Sequence, residues 1–210
     1  MKWCDDPFNR NNKNLYVIKD DIRKISPSIF KNKNIVIDLT NISIASKQNS
    51  LYDKLTWEID YKTRKKNIIL SKKYGVQKFL YPSSCSVYGF AEGGHRKEDD
   101  ELNPLTAYAR SKIGTEKGIK EFADDDFVIT SLRFATACGM SERLRLDLVV
   151  NDFVAGAVTS NKIEILSDGT PWRPLIHIED MARAIDWGVS RDADNGGTFL
   201  AVNTGSKEWN

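Results

Sequence analysis

The sequence predicts an α/β protein with a doubly wound, mainly parallel sheet, and two features of the chain indicate this fold. Short apolar runs rich in β-branched residues alternate with longer amphipathic stretches, which is the pattern of repeated strand–helix units. The connections between these runs are short, as expected where helices link neighbouring parallel strands. With 210 residues, 40% of them hydrophobic, the chain is long enough for one core, or for one core with a small lobe.

The predicted elements follow this alternation along the chain. We place strands at Leu15–Ile18, Ile35–Leu39, Lys78–Tyr81, Phe127–Phe134, Ile163–Leu166 and Phe199–Val202. We place helices at Tyr52–Lys73, Leu105–Ala123, Asp147–Ser160 and Ile178–Ser190. The third helix has apolar residues at the spacing of a half-buried stripe, so we expect its stripe to be core. The stripe comprises Leu146, Val149, Val150, Phe153, Val154 and Ala157.

Composition argues against several classes of function. The net charge is only +2 and both signs are interspersed, so we expect neither nucleic acid nor a membrane surface as partner. The apolar runs fall far short of the roughly 20 residues of a membrane span, and the N-terminus lacks the apolar core of a secretory signal. We therefore expect a cytoplasmic protein whose three cysteines serve in packing. With His95 and His177 as the only histidines, no metal site is predicted.

Tyr108 and Lys112 are four residues apart in a predicted helix, so both should lie on one face. An ammonium close to a phenol stabilises the phenolate and lowers its pKa, which makes tyrosine a usable acid/base. The same spacing also occurs at Tyr61 with Lys65 and at Tyr74 with Lys78, so context must decide. We interpret those two tyrosines as packing or surface residues.

Hydroxyl groups ahead of Tyr108 supply that context. The run from Ser83 to Gly89 follows the apolar strand that ends at Tyr81. Its serines should therefore lie at the carboxyl end of a parallel strand, where open α/β sheets bind their ligands. Ser83 to Gly89, Asn103-Pro104, Tyr108 to Lys112 and Glu116 together resemble the catalytic core of extended short-chain dehydrogenases/reductases of the nucleotide-sugar epimerase/dehydratase type. Further similarity lies in Leu132 to Phe134 with Gly139, and in Ser167 to Arg173 with His177 and Asp180.

The resemblance implies a Rossmann-like sheet, a nucleotide-sugar substrate and specific residue roles. Tyr108 would be the acid/base, Lys112 would bind the nicotinamide ribose, and Ser84 would hydrogen-bond the reacting sugar hydroxyl. The substrate-binding residues would be Ser84, Ser86, Thr136 and Arg173, with the Arg173 fork on the diphosphate. His177 is interpreted as a structural residue between a strand and a helix.

The resemblance also implies a dinucleotide cofactor. Asp21 and Ile22 resemble the stretch that passes the adenine, and Leu39 lies in a strand end similar to the one beneath the cofactor. Asp5 is a candidate for binding the adenosine ribose. A carboxylate there would repel a 2′-phosphate, so NAD is expected rather than NADP.

The sequence departs from the family pattern in several places. It contains no Gly-x-x-Gly-x-x-Gly turn, so we expect a fold that lacks the first strand–helix unit and part of the substrate lobe. Asp60 stands where an asparagine is usual, and Thr136 replaces an asparagine near the substrate. We divide the chain into a partial NAD-binding domain, 1–138, and a partial substrate lobe, 139–210, interleaved with the last sheet elements. A second copy of the chain is a candidate partner.

Two function classes stay open at this stage. Dehydratases of this family place an Asp-Glu pair where this chain has Cys85 and Ser86. A thiol and a hydroxyl cannot readily replace two carboxylates, so epimerisation, or reduction at a sugar carbon, is favoured over dehydration. The alternative is a non-catalytic binding or scaffold protein that retains the fold.

Overall fold

Four parallel strands form the main sheet of this protein. The computed structural model describes residues 15–41, 50–89, 94–142, 144–169 and 173–206. The strands are β1 (Ile35–Ile37), β2 (Lys78–Ser84), β3 (Val128–Phe134), β4 (Thr136–Cys138), β5 (Leu175–His177) and β6 (Phe199–Thr204). The main sheet has the order β1-β2-β3-β6, and β4 and β5 form a separate parallel pair. The predicted α/β fold with a parallel sheet is confirmed.

The register aligns the carboxyl ends of the three longer strands. Ser84 pairs with Phe134, and Phe134 pairs with Thr204. Ser84 is therefore the last residue of a central strand, at the edge of the sheet where the following turns and helices begin. This is the position that the sequence predicts for the hydroxyl-rich run.

Helices follow the strands on both sides of the sheet. They are α1 (Ser50–Thr56), a π-helical segment (Trp57–Thr63), α2 (Arg64–Lys73), α3 (Ala107–Lys120), α4 (Val149–Ser160) and α5 (Ile178–Ser190). Short 3-10 helices occur at Pro27–Phe30 and Cys85–Tyr88.

Alternate residues of the central strands supply two cores on opposite faces of the sheet. One core joins β2 and β3 to α2 and α3 through Phe79, Tyr81, Ile129, Ile68 and Ile119. The other core contains Leu132, Phe134 and Ile176, and α5 packs against it through Met181, Ala184 and Ile185. Helices therefore cover both faces, as a doubly wound sheet requires.

Local sequence explains where α3 begins and how it packs. Thr106 caps the helix, because its hydroxyl accepts a hydrogen bond of 3.1 Å from the N–H of Ala109. Gly114 and Gly118 face the rings of Trp57 and Tyr61, and a Cβ at either glycine would lie 3.2 Å from a ring atom. The two glycines thus let the π-helical segment approach α3 closely. Tyr61 is a packing residue, as predicted.

Two predicted strands are wrong. Residues 15–18 and 163–166 are irregular, and their apolar side chains are exposed, with Leu166 at 90% exposure. An apolar β-branched run becomes a strand only when another strand satisfies its backbone, and neither run is paired within the described residues. The pairing instead involves β4 and β5, two short strands that the sequence analysis missed.

The apolar stripe predicted as core on α4 is a third correction. No residue of α4 is buried, and Val154 is 58% exposed while Leu146 just before the helix is 51% exposed. The stripe has helical periodicity, but the described residues do not cover it. Periodicity reports which face is apolar and does not report what lies against that face.

The other helix predictions agree with the structure to within a few residues at each end, and α5 matches at both ends. Within the described ranges, every helix falls short of the length and apolar character that crossing a bilayer requires.

Candidate active site at the end of the second strand

Ser84, Tyr108 and Lys112 come together at the carboxyl edge of the sheet. Ser84 ends β2, and Tyr108 and Lys112 lie on the first two turns of α3. The side chains of Ser84 and Tyr108 are hydrogen-bonded, and Nζ of Lys112 lies 5.0 Å from the centre of the Tyr108 ring. The spacing argument and the strand-end argument therefore lead to one place in the fold.

The surroundings of Tyr108 favour its protonated form. Burial raises the pKa of Tyr108, and the hydrogen bonds with Ser84 and Asn41 act in the opposite direction without reversing the shift. The net shift is upward because the phenol loses more solvation than its neighbours return. The expectation that Lys112 lowers this pKa stays a prediction.

Lys112 is almost fully buried, with only 1% of the residue exposed. Its Nζ donates a hydrogen bond of 2.8 Å to the carbonyl oxygen of Pro82 and lies 5.0 Å from the centre of the Tyr81 ring. Burial, followed by the positive charge of Arg64, lowers the pKa of Lys112 to about 7, against the opposing effect of nearby carboxylates. The side chain can therefore exchange a proton near neutral pH.

A second cation, Arg64, is buried beside this site with no exposed surface. Its Nε forms an ion pair of 3.4 Å with Oδ2 of Asp38, and its Nη1 donates a hydrogen bond of 2.6 Å to the carbonyl oxygen of Asp60. Its Nη2 also donates to the carbonyl oxygen of Thr40. The guanidinium carbon lies 4.6 Å from the centre of the Tyr81 ring, so Arg64 and Lys112 both contact one aromatic side chain.

A buried ion pair braces the strand ends next to the site. Arg133 on β3 binds Glu116 on α3 through Nη2 and Oε2 at 2.7 Å and through Nε and Oε1 at 3.1 Å. Nη1 of Arg133 also donates to the hydroxyl of Tyr88 at 2.7 Å. Burial opposes the charge, but these hydrogen bonds raise the pKa of Arg133. The network fixes α3, and thus Tyr108 and Lys112, against the sheet.

Cys85 and Ser86 differ in how they face the site. The thiol of Cys85 is partly buried and donates to the carbonyl oxygen of Arg133 at 3.1 Å. Burial raises the pKa of Cys85 to about 11, so a thiolate is disfavoured at neutral pH. Ser86 is exposed, and its N–H donates to Oγ of Ser84 at 3.2 Å. Neither residue offers the carboxylate that proton transfer in a dehydration needs.

The remaining predicted residues are spread around the sheet. Asp21 is partly exposed and forms an ion pair of 2.5 Å with Arg23, whose hydrogen bonds lower the pKa of Asp21 to about 2. Leu39 is 59% exposed just after β1. Thr136 is half-buried at the start of β4, and Arg173 is exposed shortly before β5. Asp5 and Cys4 lie outside the described residues, as does the stretch 170–172.

His177 has a structural role, as predicted. It caps α5, where its Nδ1 accepts a hydrogen bond of 3.3 Å from the N–H of Glu179. Its ring also lies against Gly139, whose φ of +115° is accessible to glycine.

Comparison with known proteins identifies the family of this chain. The model of the NAD dependent epimerase/dehydratase family matches residues 16–205. The chain belongs to the NAD dependent epimerase/dehydratase family. The resemblance inferred from the motifs around Tyr108 is thus confirmed at the level of the family.

Curated relatives of this epimerase/dehydratase chain include a glycan biosynthesis protein and a UDP-glucose epimerase. The low-salt glycan biosynthesis protein Agl12 of Haloferax volcanii is 27% identical over 124 residues, which are 59% of this chain and 39% of that protein. The UDP-glucose 4-epimerase of Bacillus subtilis is 29% identical over 128 residues, which are 53% of this chain and 38% of that protein. The matched part therefore spans less than half of each relative.

Solved structures of the family agree with the fold. MoeE5, solved in complex with UDP-glucose and NAD, has a TM-score of 0.75 at 25% identity, covering 90% of this chain and 62% of its own. The UDP-glucuronic acid 4-epimerase of Bacillus cereus, solved with UDP-glucuronic acid and NAD, has a TM-score of 0.82 at 22% identity. That match covers 94% of this chain and 62% of the other.

The sequence analysis did not assign a role in the site to three residues that lie near it. Asn41 hydrogen-bonds Tyr108, and Asp38 and Arg64 form the buried ion pair. A signal was available for Asp38 and Asn41, because polar residues directly after an apolar strand point to the ligand edge of the sheet. No comparable signal exists for Arg64, which lies in a lysine- and arginine-rich stretch typical of an exposed helix face.

The residues present fit one half of the family's dinucleotide. A phenol, a serine hydroxyl and an ammonium at one strand end are donors suited to ribose and carbonyl oxygens, and the buried Oγ of Ser83 has no hydrogen-bond partner among the described residues. For the pyrophosphate half, the sequence offers no glycine-rich turn ahead of a helix. The residues at the strand end therefore suit the nicotinamide riboside half of the dinucleotide.

Proposed function

We propose that this chain carries the catalytic centre of an NAD-dependent nucleotide-sugar epimerase or related sugar reductase. The observation that carries the proposal is the convergence of Ser84, Tyr108 and Lys112 at the carboxyl end of a central parallel strand. The names of the relatives support the substrate class, since a UDP-glucose 4-epimerase and a UDP-glucose complex are among them. Residues 1–138 would supply the partial cofactor domain and 139–210 part of the substrate lobe.

In this proposal each residue has a defined task. Ser84 orients the sugar hydroxyl, and Tyr108 takes its proton and later returns it. Lys112 binds the nicotinamide ribose and supplies a charge that can stabilise the phenolate when the site is closed to water. NAD, when bound, accepts and returns the hydride. Asn41 and Ser84, both hydrogen-bonded to Tyr108, hold the phenol in place.

Epimerisation or reduction is supported over dehydration by the residues after Ser84. Elimination of water needs a separate acid and base, and the two positions that would supply them carry a thiol with a raised pKa and an exposed hydroxyl. A single proton relay through Tyr108 suffices for oxidising and re-reducing one carbon.

Activity is tested on the 210-residue chain and on the product of its whole gene. Each is incubated with NAD and UDP-glucose or UDP-glucuronic acid, and the 4-epimers are separated by chromatography. We expect Tyr108→Phe to lower turnover by roughly 10²–10⁴-fold, because only the transferable proton is lost. Tyr61→Phe and Tyr74→Phe have the same spacing to a lysine and serve as matched controls that retain turnover.

Either of two results would contradict the proposal. Full turnover by Tyr108→Phe would exclude the proposed relay. Binding of UDP-sugar by the whole gene product without any conversion would favour the binding or scaffold alternative.

A further inference from the structure

We propose that Arg64 is a positioning residue that sets the charge state of Lys112 across the ring of Tyr81. The inference deepens the proposed function, because it concerns the same catalytic pair. Arg64 donates to no group of the proposed proton relay, yet its guanidinium is fully buried. Burying a cation is unfavourable unless it is paired, and retaining one beside a second buried cation requires a reason.

The geometry brings the two cations close together. The guanidinium carbon of Arg64 lies 4.6 Å from the Tyr81 ring centre, and Nζ of Lys112 lies 5.0 Å from the same centre. The charges are therefore no more than about 10 Å apart, in a region shielded from solvent, where screening by salt is weak. The ring of Tyr81 is itself fully buried.

Arg64 is held rigidly at that place. Its three nitrogens contact Asp38 and the carbonyl oxygens of Asp60 and Thr40. The hydroxyl of Thr115 on α3 donates to the same Asp60 carbonyl at 2.9 Å. The helix that carries Arg64 and the helix that carries Lys112 thus share one acceptor, which fixes their charges relative to each other.

The charged and titratable groups around Lys112 come from each element that packs on it. They are Arg64 from α2, Asp60 from the π-helical segment, Asp38 after β1, Tyr81 from β2, and Tyr108 and Glu116 from α3. The carboxylates favour the ammonium, whereas burial and Arg64 disfavour it. Burial and Arg64 prevail, which is why the pKa of Lys112 falls to about 7.

The consequence for chemistry is control of the operating pH. Near neutrality Lys112 is divided between ammonium and amine, so its support for a Tyr108 phenolate varies within the physiological range. Without the Arg64 charge, the pKa of Lys112 would be higher, and a larger share of Lys112 would be ammonium across that range. Arg64 therefore acts through Lys112 and need not touch substrate or cofactor.

The test measures Lys112 directly in the 210-residue chain, without cofactor or turnover. Lysine labelled with ¹³C at Cε is titrated by NMR, and the Lys112 resonance is assigned by its loss in Lys112→Met. We expect one lysine to titrate near pH 7 while exposed lysines titrate near 10.4. Because no activity is measured, failure of this inference and failure of the proposed epimerase function are distinguishable.

The variants separate charge from structure. Arg64→Lys keeps the positive charge and should leave the Lys112 midpoint within a few tenths of a unit. Asp38→Asn removes one carboxylate and should lower the midpoint. Arg64→Gln combined with Asp38→Asn removes the cation and leaves a neutral amide pair, and its midpoint should lie about one pH unit or more above that of Asp38→Asn alone.

Each outcome decides the inference. Equal midpoints in Asp38→Asn and in the double variant would overturn it, as would a wild-type Lys112 that titrates with the exposed lysines. Should circular dichroism show that the double variant does not fold, Arg64→Gln alone decides. Its midpoint should lie above that of the wild type, and an unchanged midpoint would reject the role of Arg64.

Discussion

Replacing Lys112 by methionine should change how stability depends on pH. The folded protein lowers the pKa of Lys112 from 10.5 to about 7, so the unfolded chain binds this proton more tightly. The resulting penalty is absent above about pH 10.5, grows as the pH falls, and is complete below about pH 7. Within that window Lys112 makes the wild-type protein more stable as pH rises, by at most about 1.4 kcal/mol per pH unit.

The magnitude is large enough to measure by urea unfolding. Between about pH 7 and pH 8.5 the Lys112 contribution to the free energy of unfolding should rise by about 1.5 kcal/mol in the wild type and be absent in Lys112→Met. Methionine keeps the long apolar stem that crosses the Tyr81 ring and removes the amine. The quantity of interest is the difference between the two pH profiles, because contributions from other groups cancel.

A matched control comes from the surface of the same protein. Lys65 forms a 3.1 Å ion pair with Glu121, with about a third of its side chain exposed, and Lys65→Met should keep the wild-type slope. Parallel profiles for wild type and Lys112→Met would refute the reasoning, since they would mean that the buried amine has an ordinary pKa.

Three further predictions concern packing and ligand binding. Glu116→Gln should cost about 3–5 kcal/mol in chemical unfolding, because it leaves a buried guanidinium uncompensated, whereas Glu121→Gln at a surface pair should change stability by no more than about 1 kcal/mol. Gly139→Ala should destabilise the fold by about 1–3 kcal/mol, because φ is +115° and the new Cβ would lie 2.7 Å from Nε2 of His177. Gly75→Ala has a positive φ with open space around it and should cost less in the same thermal melts. Calorimetric titration of the 210-residue chain with NAD should give a dissociation constant weaker than micromolar, since the sequence supplies no glycine-rich phosphate turn. A micromolar constant would show that this turn contributes less than we infer.

Much of the site could be predicted from the sequence because its signals are local. A hydroxyl-rich run after an apolar strand and a tyrosine and lysine one helical turn apart need no knowledge of distant residues. The location of Ser84, Tyr108 and Lys112 follows from those two patterns and from the rule that parallel strands end at one edge. The same context indicates that Tyr61 with Lys65 and Tyr74 with Lys78 are not catalytic pairs, although they have the same spacing.

What could not be predicted depends on contacts between distant segments. The pKa of Tyr108 is set by burial and by Asn41, which is 67 residues away in sequence. The runs at 15–18 and 163–166 have strand composition, but a strand exists only beside a partner. Arg64 occupies a basic stretch in which neighbours such as Lys65 and Lys66 are not buried, so nothing in the local pattern singles it out.

The π-helical segment makes the spacing between residues 57 and 64 intolerant of length changes. Its wider turns place the ring of Tyr61 against the glycines of α3 while Arg64 faces the Tyr81 ring. Deleting one residue would restore α-helical pitch and rotate one end of the helix by about 100° relative to the other. Either the ring packing or the buried cation would then leave its place. Related sequences that keep both features must therefore keep this segment at constant length, even where its residue types vary.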